Sequence, residues 1–440
     1  MGIYERKINL PASKSIVNRA LIIEKLSEKS FINKKDISCD DTKVLSQVLS
    51  LVERTQITQK TQINTKKINQ KNIICEDLCN SWDLCSKIDI KNSGTAMRFM
   101  AAFLTQKVGN WLLIGSESMQ SRPIDTLVNA LRTLGADIEY CGKIGFLPIK
   151  ICTKTPLNPN IELTIENSNS SQTISALILI APNFTNGLTI NVKNCASFPY
   201  ILLTKKIMED CGVEVQVNDN QIIIKNKKYF SEDKPVKFLK LNRFKAEADW
   251  DAAAFWYAFL ATNEKTQKIT LTNLFSDSYQ PDSIVKDIFE KFGIKYVFEK
   301  NNLILQKKEN FVLPKNFDFD FENYPDLVPI MAVTCCVLGV KFNFSGVQHL
   351  RIKESNRLNA LQNELKKCGF LLTQTENSLQ WLGEKCEPEK QPKIETYNDH
   401  RIAMSFAILK QKIDLEILNP NVVTKSYKNF WQDYRKFISC

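Results

Sequence analysis

Four stretches of this chain repeat one plan: an amphipathic helix, a glycine where the helix should stop, and an alternating strand. They run from Leu127 to Tyr140, Leu202 to Val217, Ile284 to Glu299 and Leu358 to Gln374. Gly135, Gly212, Gly293 and Gly369 suit the left-handed position that closes a helix, and the runs after them have the period-two pattern of strands. The glycines recur at intervals of 77, 81 and 76 residues. That near-constant spacing argues for repeated α/β units too large for a solenoid, the alternative being plain α/β alternation. Arg122-Pro123, Phe198-Pro199-Tyr200 and Gln280-Pro281-Asp282 precede the first three helices, as expected for proline near a first helical position.

With 440 residues, 43% of them hydrophobic, the chain can build two or three domains with ordinary cores. Its N-terminus carries no apolar leader, and the longest nearly apolar run, Leu327 to Val340, is too short to cross a bilayer. Thirteen scattered cysteines then read as reduced thiols in a cytoplasmic protein. Cys75, Cys79 and Cys85 fit no zinc spacing, and only His349 and His400 could add imidazole, so no metal is expected. The polar stretch from Glu53 to Asn72 reads as an insertion-like surface loop, and Asn218 to Lys245 as a domain boundary.

Lys and Arg outnumber Asp and Glu by 59 to 48, which points to acidic partners, either nucleic acid or small phosphorylated metabolites. Lysine-rich stretches such as Lys60 to Lys71 read as solvated surface. The informative cations sit at helix starts, where the peptide dipole already favours anions. In Leu10-Pro11-Ala12-Ser13-Lys14-Ser15-Ile16-Val17-Asn18-Arg19 a serine cap opens a helix with Ser15 and Arg19 one turn apart. Asn92-Ser93-Gly94-Thr95 exposes backbone amides before an apolar helix. Glu354-Ser355-Asn356-Arg357 and Asp399-His400-Arg401 put guanidinium groups in first turns. Each alone is an ordinary cap; repeated, they predict a site for more than one anionic group. No P-loop or dinucleotide fingerprint is present. Asp326, in Tyr324-Pro325-Asp326-Leu327, and Glu354 are candidate general acids or bases, with a turn and a lysine ion pair as their plain readings. Asp249 and Asp251 read as caps of the helix from Ala252.

These stretches, LPASKSIVNRALII from Leu10, NSGTAMR from Asn92, RPIDTLVNALRTLGA from Arg122, SSQTISALILIAP from Ser170, EADWDAAAFWY from Glu247, YPDLVP from Tyr324, LRIKESNRL from Leu350 and NDHRIAM from Asn398, together resemble the 5-enolpyruvylshikimate-3-phosphate synthase family. The resemblance spans Leu10 to Trp431. It implies an α/β two-domain enolpyruvyl transferase fold, each domain of three βαβαββ-like repeats, with helix N-termini facing the interdomain cleft. One domain would cover residues 13–246, the other residues 1–12 with 247–440.

The activity it implies is enolpyruvyl transfer from phosphoenolpyruvate to the 5-hydroxyl of shikimate 3-phosphate, releasing phosphate, in the shikimate pathway to chorismate and aromatic amino acids. No cofactor or metal is implied, and the protein is expected to be a cytoplasmic monomer binding neither nucleic acid nor membrane. By position, Lys14, Ser15, Arg19, Ser170, Ser171, Gln172, Ser197, Asp326, His349 and Lys353 match the shikimate 3-phosphate ligands. Lys14, Asn92, Gly94, Arg122, Gln172, Arg357, Arg401 and Lys425 match the phosphoenolpyruvate set. Asp326, Glu354, Lys14 and His400 match the catalytic group, Asp326 accepting the hydroxyl proton and Glu354 moving the proton at the methyl carbon. The pattern departs at Ala12 (usually glycine), Phe99 (often proline), His349 (often asparagine) and Asp251 (typically serine). The rival readings are a transferase acting on UDP-N-acetylglucosamine and a basic nucleic-acid-binding protein. The first commonly uses a loop cysteine, and no cysteine here sits in a comparable motif; the second predicts a basic face with stacking aromatics.

Overall fold

The computed structural model describes residues 6–69, 85–168, 170–218, 220–231 and 246–438. The chain divides into two compact units. Ser15–Ile37 with Asp41–Lys245 form what we call the N-terminal unit; Met1–Lys14, Ser38–Asp40 and Ala246–Cys440 form the C-terminal unit. The main divisions thus fall at Lys14/Ser15 and Lys245/Ala246, which puts Lys14 with the C-terminal unit.

In the C-terminal unit, β1 (Arg6–Ile8) lies parallel to β10 (Lys268–Thr272), with Arg6 opposite Ile269. In the N-terminal unit, α1 (Lys14–Ser27, all but its first residue) and α2 (Asp40–Asn69, from Asp41) precede two modules of identical topology. The first runs β2 (Ser86–Asp89), α3 (Gly94–Leu104), β3 (Gly109–Ile114), α4 (Glu117–Gln120), α5 (Asp125–Thr133), β4 (Asp137–Tyr140) and β5 (Ile149–Thr153). The second runs β6 (Leu163–Ser168), α6 (Ser171–Ile180), β7 (Leu188–Cys195), α7 (Pro199–Asp210), β8 (Val215–Asn218) and β9 (Gln221–Ile224). In each sheet two parallel strands are extended by an antiparallel hairpin, giving the orders β2-β3-β5-β4 and β6-β7-β9-β8. The parallel pair requires a crossover, which the intervening helix supplies.

The C-terminal unit repeats this order twice. Helix α8 (Trp250–Thr262) leads into β10, and α9 (Val285–Glu290) precedes the hairpin of β11 (Ile294–Glu299) and β12 (Asn302–Lys307), in the order β1-β10-β12-β11. The next module is β13 (Asn316–Asp320), α10 (Val328–Leu338), β14 (Lys341–Ser345), α11 (Arg357–Lys367), β15 (Thr373–Gln374) and β16 (Ser378–Trp381), in the order β13-β14-β16-β15. A shorter unit pairs β17 (Lys393–Ile394) with β18 (Glu416–Ile417) around α12 (His400–Leu409), before α13 (Phe430–Ile438). Helices α8 and α10 are apolar on nearly every side because both are buried whole, packed against each other and against α12. Trp256 also meets Phe259, Phe430 and Phe437 in this core.

All four repeat glycines take positive φ, from 79° at Gly293 to 102° at Gly135, so each ends its helix in a conformation that costs a side chain strain. Within each module the candidate motifs fall in one kind of place, between a parallel strand and the helix that follows it.

Three expectations change. The stretch from Glu53 to Asn72 is no loop as far as Asn69, since α2 continues through it. It holds no glycine or proline, and Arg54 and Thr55 hydrogen-bond back to the carbonyls of Ser50 and Leu51 one turn earlier. Residues 70–72 lie outside the described residues, as do Cys75 and Cys79. The second polar stretch begins as strand, since Asn218 and Gln221 to Ile224 close the β8–β9 hairpin, while the division between the units falls at its far end, Lys245/Ala246; residues 232–245 are not described. Finally, Ser13 does not cap α1. Its hydroxyl has no hydrogen-bond partner, and the Lys14 amide donates instead to Asp249 Oδ2 at 3.3 Å. Asp249 Oδ1 meanwhile caps α8, accepting from the amides of Asp251 and Ala252. No described helix is long and apolar enough to cross a membrane.

Candidate active site

In the C-terminal unit the helix starts converge on a ladder of alternating charges. Lys425 Nζ lies 3.4 Å from Glu354 Oε1, and Glu354 Oε2 accepts from Arg357 Nη2 at 2.8 Å. Arg357 Nη1 donates to Asp326 Oδ1 at 2.9 Å, Arg401 Nη2 lies 2.8 Å from Asp326 Oδ2 as an ion pair, and that same nitrogen is 2.9 Å from Asp251 Oδ2. Beneath it, Asp399 accepts Arg357 Nε at 2.8 Å and caps α12 through the Arg401 amide at 3.0 Å. Ser355 Oγ also donates to Asp399.

Arg357 is wholly buried yet meets three carboxylates, so its desolvation is repaid by charge-assisted hydrogen bonds on three of its nitrogens. Its neighbourhood raises its pKa further despite burial, and Arg401 behaves likewise through Asp251 and Asp326. Asp326 feels two opposed effects. Burial pushes its carboxyl upward, but Arg401, Arg357, Lys353 and Lys14 together outweigh burial and hold it below the usual carboxylate range. Asp326 is thus ionised and partly open, and the same two arginines weaken it as a base for as long as they stay paired with it.

Both histidines are buried and neutral. Burial first, then Lys353 and Arg357, lower the His349 pKa to about 3, with Asp326 opposing; neither ring nitrogen has a hydrogen-bond partner. His400 sits well below the ordinary imidazole range through burial, Lys14 and Arg401. Its Nε2 contacts Arg401 Nη1, so it accepts there, while Nδ1 lies 3.7 Å from Asp399 Oδ1. Its geometry is that of a prop for Arg401.

The N-terminal unit gathers a second set. Arg19 is buried, and all of its hydrogen bonds go to neutral groups: Thr204 Oγ1, the Ser15 and Tyr200 carbonyls and Ser175 Oγ. Among the described residues no carboxylate pairs with it. Burial accordingly lowers its pKa to about 10, which leaves it cationic at neutral pH and lacking a counterion. Gln172 is clamped at both ends of its amide, its Oε1 accepting from Arg98 Nη1 at 3.1 Å and its Nε2 donating to Thr95 Oγ1 at 3.2 Å. Arg98 also donates to the Gly94 and Pro123 carbonyls. Gly94 lies against Arg122, because a Cβ there would stand 2.8 Å from the guanidinium carbon. Ser171 and Ser197 are buried at the starts of α6 and α7, Ser197 in the left-handed region at φ 60°, a strained conformation for a non-glycine residue.

The candidates therefore fall into two groups. Lys14, Asp326, His349, Lys353, Glu354, Arg357, His400, Arg401 and Lys425 belong to the C-terminal unit; Ser15, Arg19, Asn92, Gly94, Arg122, Ser170, Ser171, Gln172 and Ser197 belong to the other. Asn92 Oδ1 accepts a hydrogen bond from Ser118 Oγ. Glu354 pairs with Arg357 and Lys425. Asp249 is the cap expected, but Asp251 is an ion-pair partner of Arg401. Sequence reasoning missed Arg98, whose only local signal was a lone arginine in an apolar helix.

Modules of this topology, with cations collected at helix starts, define an enolpyruvyl transferase fold. The chain is similar to the EPSP synthase of Acinetobacter baumannii (TM-score 0.66, 18% identity, covering 99% of this chain and 96% of that one). It is also similar to the enolpyruvyl transferase NikO of Streptomyces tendae (TM-score 0.63, 11% identity, 98% and 94%). At the sequence level, the family described as EPSP synthase (3-phosphoshikimate 1-carboxyvinyltransferase) matches residues 4–434, and the chain belongs to it. Among its relatives, the 3-phosphoshikimate 1-carboxyvinyltransferase of Bacteroides fragilis (strain YCH46) is 38% identical over 98% of this chain and 94% of the relative. That of Haemophilus influenzae (strain PittEE) is 30% identical over 98% and 96%.

Proposed function

We propose the following residue roles for the family's reaction, which this chain carries out: transfer of the enolpyruvyl group of phosphoenolpyruvate to the 5-hydroxyl of shikimate 3-phosphate. The observation that carries the assignment is Asp326, ionised between Arg357 and Arg401. Asp326 accepts the 5-hydroxyl proton as that oxygen attacks C2 of phosphoenolpyruvate. Glu354 moves the proton to and from the methylene carbon, and phosphate leaves as the double bond re-forms. Geometry puts Glu354 within reach of Arg357 and Lys425, so charge changes on its carboxyl are met at once by adjacent cations.

Arg122, Arg357, Arg401, Lys425 and Lys14, with Gly94, Asn92 and Gln172, bind phosphoenolpyruvate. Planar guanidinium forks match its carboxylate and phosphate. Arg19, Ser15, Ser170, Ser171, Gln172, Ser197, His349, Lys353 and Lys14 bind shikimate 3-phosphate, and the uncompensated charge of buried Arg19 supports an anionic ligand there. A neutral His349 offers one ring N–H to a phosphate oxygen. His400 acts on the reaction through Arg401. We also propose that the chain acts as a monomer and, because its pathway runs on phosphorylated metabolites, in the cytoplasm.

The test is phosphate release from phosphoenolpyruvate with shikimate 3-phosphate or UDP-N-acetylglucosamine as acceptor. Release with the first alone is expected; release with the second alone would refute the substrate assignment. Asp326→Ala and Glu354→Ala should each lower kcat by about 100-fold or more with smaller changes in KM, whereas Arg401→Ala should mainly raise the KM for phosphoenolpyruvate. Wild-type turnover in either carboxylate variant would remove that residue from the mechanism.

A further inference from the structure

Asp251 occupies the second position of α8, where the sequence pattern suggested only a helix cap. Its side chain is turned instead to Arg401. The guanidinium has five N–H donors. Nη2 forms ion pairs with Asp251 Oδ2 at 2.9 Å and Asp326 Oδ2 at 2.8 Å, and Nη1 meets His400 Nε2. The Nε hydrogen is buried without a partner. Two carboxylates and one imidazole thus hold the fork through its two terminal nitrogens. Asp251 itself is only half satisfied: it is 4% exposed, and its Oδ1 has no hydrogen-bond partner.

We propose that Asp251 is a positioning residue for the transfer reaction, pinning Arg401 jointly with Asp326 and setting how much positive charge Arg401 presents to phosphoenolpyruvate. The inference rests on the assignment of Arg401 to that substrate. A neutral side chain here would leave Arg401 facing one carboxylate; Asp251 makes it two. The charged groups around Asp251 come from every neighbouring segment: Asp249 at the α8 cap, Asp326 before α10, Arg401 and neutral His400 on α12, and Lys14 at the start of α1. Burial pushes the Asp251 carboxyl up, Asp249 and Asp326 add to that, and Arg401 and Lys14 oppose it, with the result near neutrality at about 7. Below that pH Asp251 is protonated and Arg401 has one anionic neighbour, which favours an incoming anion. Above it both carboxylates are ionised and compete with the substrate. The KM for phosphoenolpyruvate should therefore rise with pH, and removing the charge should remove that component.

The experiment measures kcat and both KM values from pH 6 to 8 for wild type, Asp251→Asn, Asp251→Ser and Arg401→Ala. Ionisation of phosphoenolpyruvate itself is common to all four, so ratios between enzymes cancel it. Asn keeps an oxygen for Arg401 but not the charge; Ser is too short to reach the guanidinium. The wild-type to Asn ratio of KM for phosphoenolpyruvate should climb about fivefold or more between pH 6 and pH 8, the low end of ordinary coupling between two sites. At pH 6 the Ser variant should have a higher KM for phosphoenolpyruvate than the Asn variant, since it loses the pin as well. A ratio that stays constant with pH overturns the proposal, as does a change confined to kcat or to shikimate 3-phosphate. Should Asn fail to fold, the wild-type to Ser ratio is held to the same pH criterion. If Arg401→Ala leaves the phosphoenolpyruvate KM unchanged, the assignment of Arg401 falls; if it raises that KM while the Asp251 variants follow wild type, only the role of Asp251 falls.

Discussion

Replacing Asp399 should cost the C-terminal unit more stability than any exposed charge could. Its two oxygens accept from Arg357 Nε at 2.8 Å and Nη2 at 3.5 Å, from the Arg401 amide at 3.0 Å and from Ser355 Oγ at 3.2 Å, with the side chain fully buried. In Asp399→Ala the α12 cap disappears, a loss of about 1 kcal/mol, and Arg357 Nε is left buried without its anion. Breaking a buried pair from one side costs ~3–5 kcal/mol, and because Arg357 keeps Asp326 and Glu354 the total should lie near the lower end, about 3 kcal/mol. In a unit of this size that lowers Tm by roughly 6–12 °C. Asp399→Asn keeps a capping oxygen and loses only the charge, so its deficit should be about half as large. Tryptophan fluorescence during heating suits the measurement, because Trp250, Trp256, Trp381 and Trp431 all lie in the C-terminal unit. Both variants should also raise the KM for phosphoenolpyruvate, since one carboxylate sets the positions of Arg357 and Arg401 together. An Ala variant melting within about 2 °C of wild type would refute the buried-pair reasoning.

Three further outcomes follow from the same geometry. Gly94→Ala puts a methyl group against the Arg122 guanidinium, so Arg122 must move and the KM for phosphoenolpyruvate should rise about tenfold with a stable fold; an unchanged KM would mean that Arg122 does not bind that substrate. His349 is neutral in the native state down to about pH 3 but titrates near 6.5 when unfolded, so stability is unaffected above pH 6.5 and falls as the pH drops below it. His349→Asn should remove ~2–3 kcal/mol of that loss by pH 4.5, read from urea unfolding at several pH values, and identical acid limbs would contradict it. Arg98→Ala frees the Gln172 amide and should raise both substrate KM values several-fold, whereas Arg98→Lys, which cannot hold the Gly94 and Pro123 carbonyls and Gln172 together, should recover little; full rescue by lysine would show that charge alone matters.

The repeat was legible because helix period, stop glycine and strand period are local signals, and all four helix–glycine–strand runs stand where their patterns put them. Cations at helix starts were legible for the same reason. Their partners were not: Arg357 meets Asp399 across 42 residues of chain and Arg98 meets Gln172 across 74, and nothing in a linear pattern marks such a pair. The continuation of α2 through Glu53 to Asn69 was hidden because polarity is shared by loops and solvated helices, and a stretch without glycine or proline, whose side chains bond back one turn, can remain helical. Ser13 shows the converse error, since a serine in the cap position was displaced by an aspartate that only the fold brings near.

In the ladder from Lys425 to Asp251, Arg357, Arg401 and Lys425 each already have a carboxylate partner before any substrate arrives. Binding there is an exchange of counterions, and its free energy is the difference between two well-paired states. A ligand with a single negative charge gains little by such a swap, while one carrying carboxylate and phosphate together can replace several protein contacts at once. The ladder thus selects ligands by how many charges they bring, and it keeps the abundant monoanions of a cell from occupying the arginines.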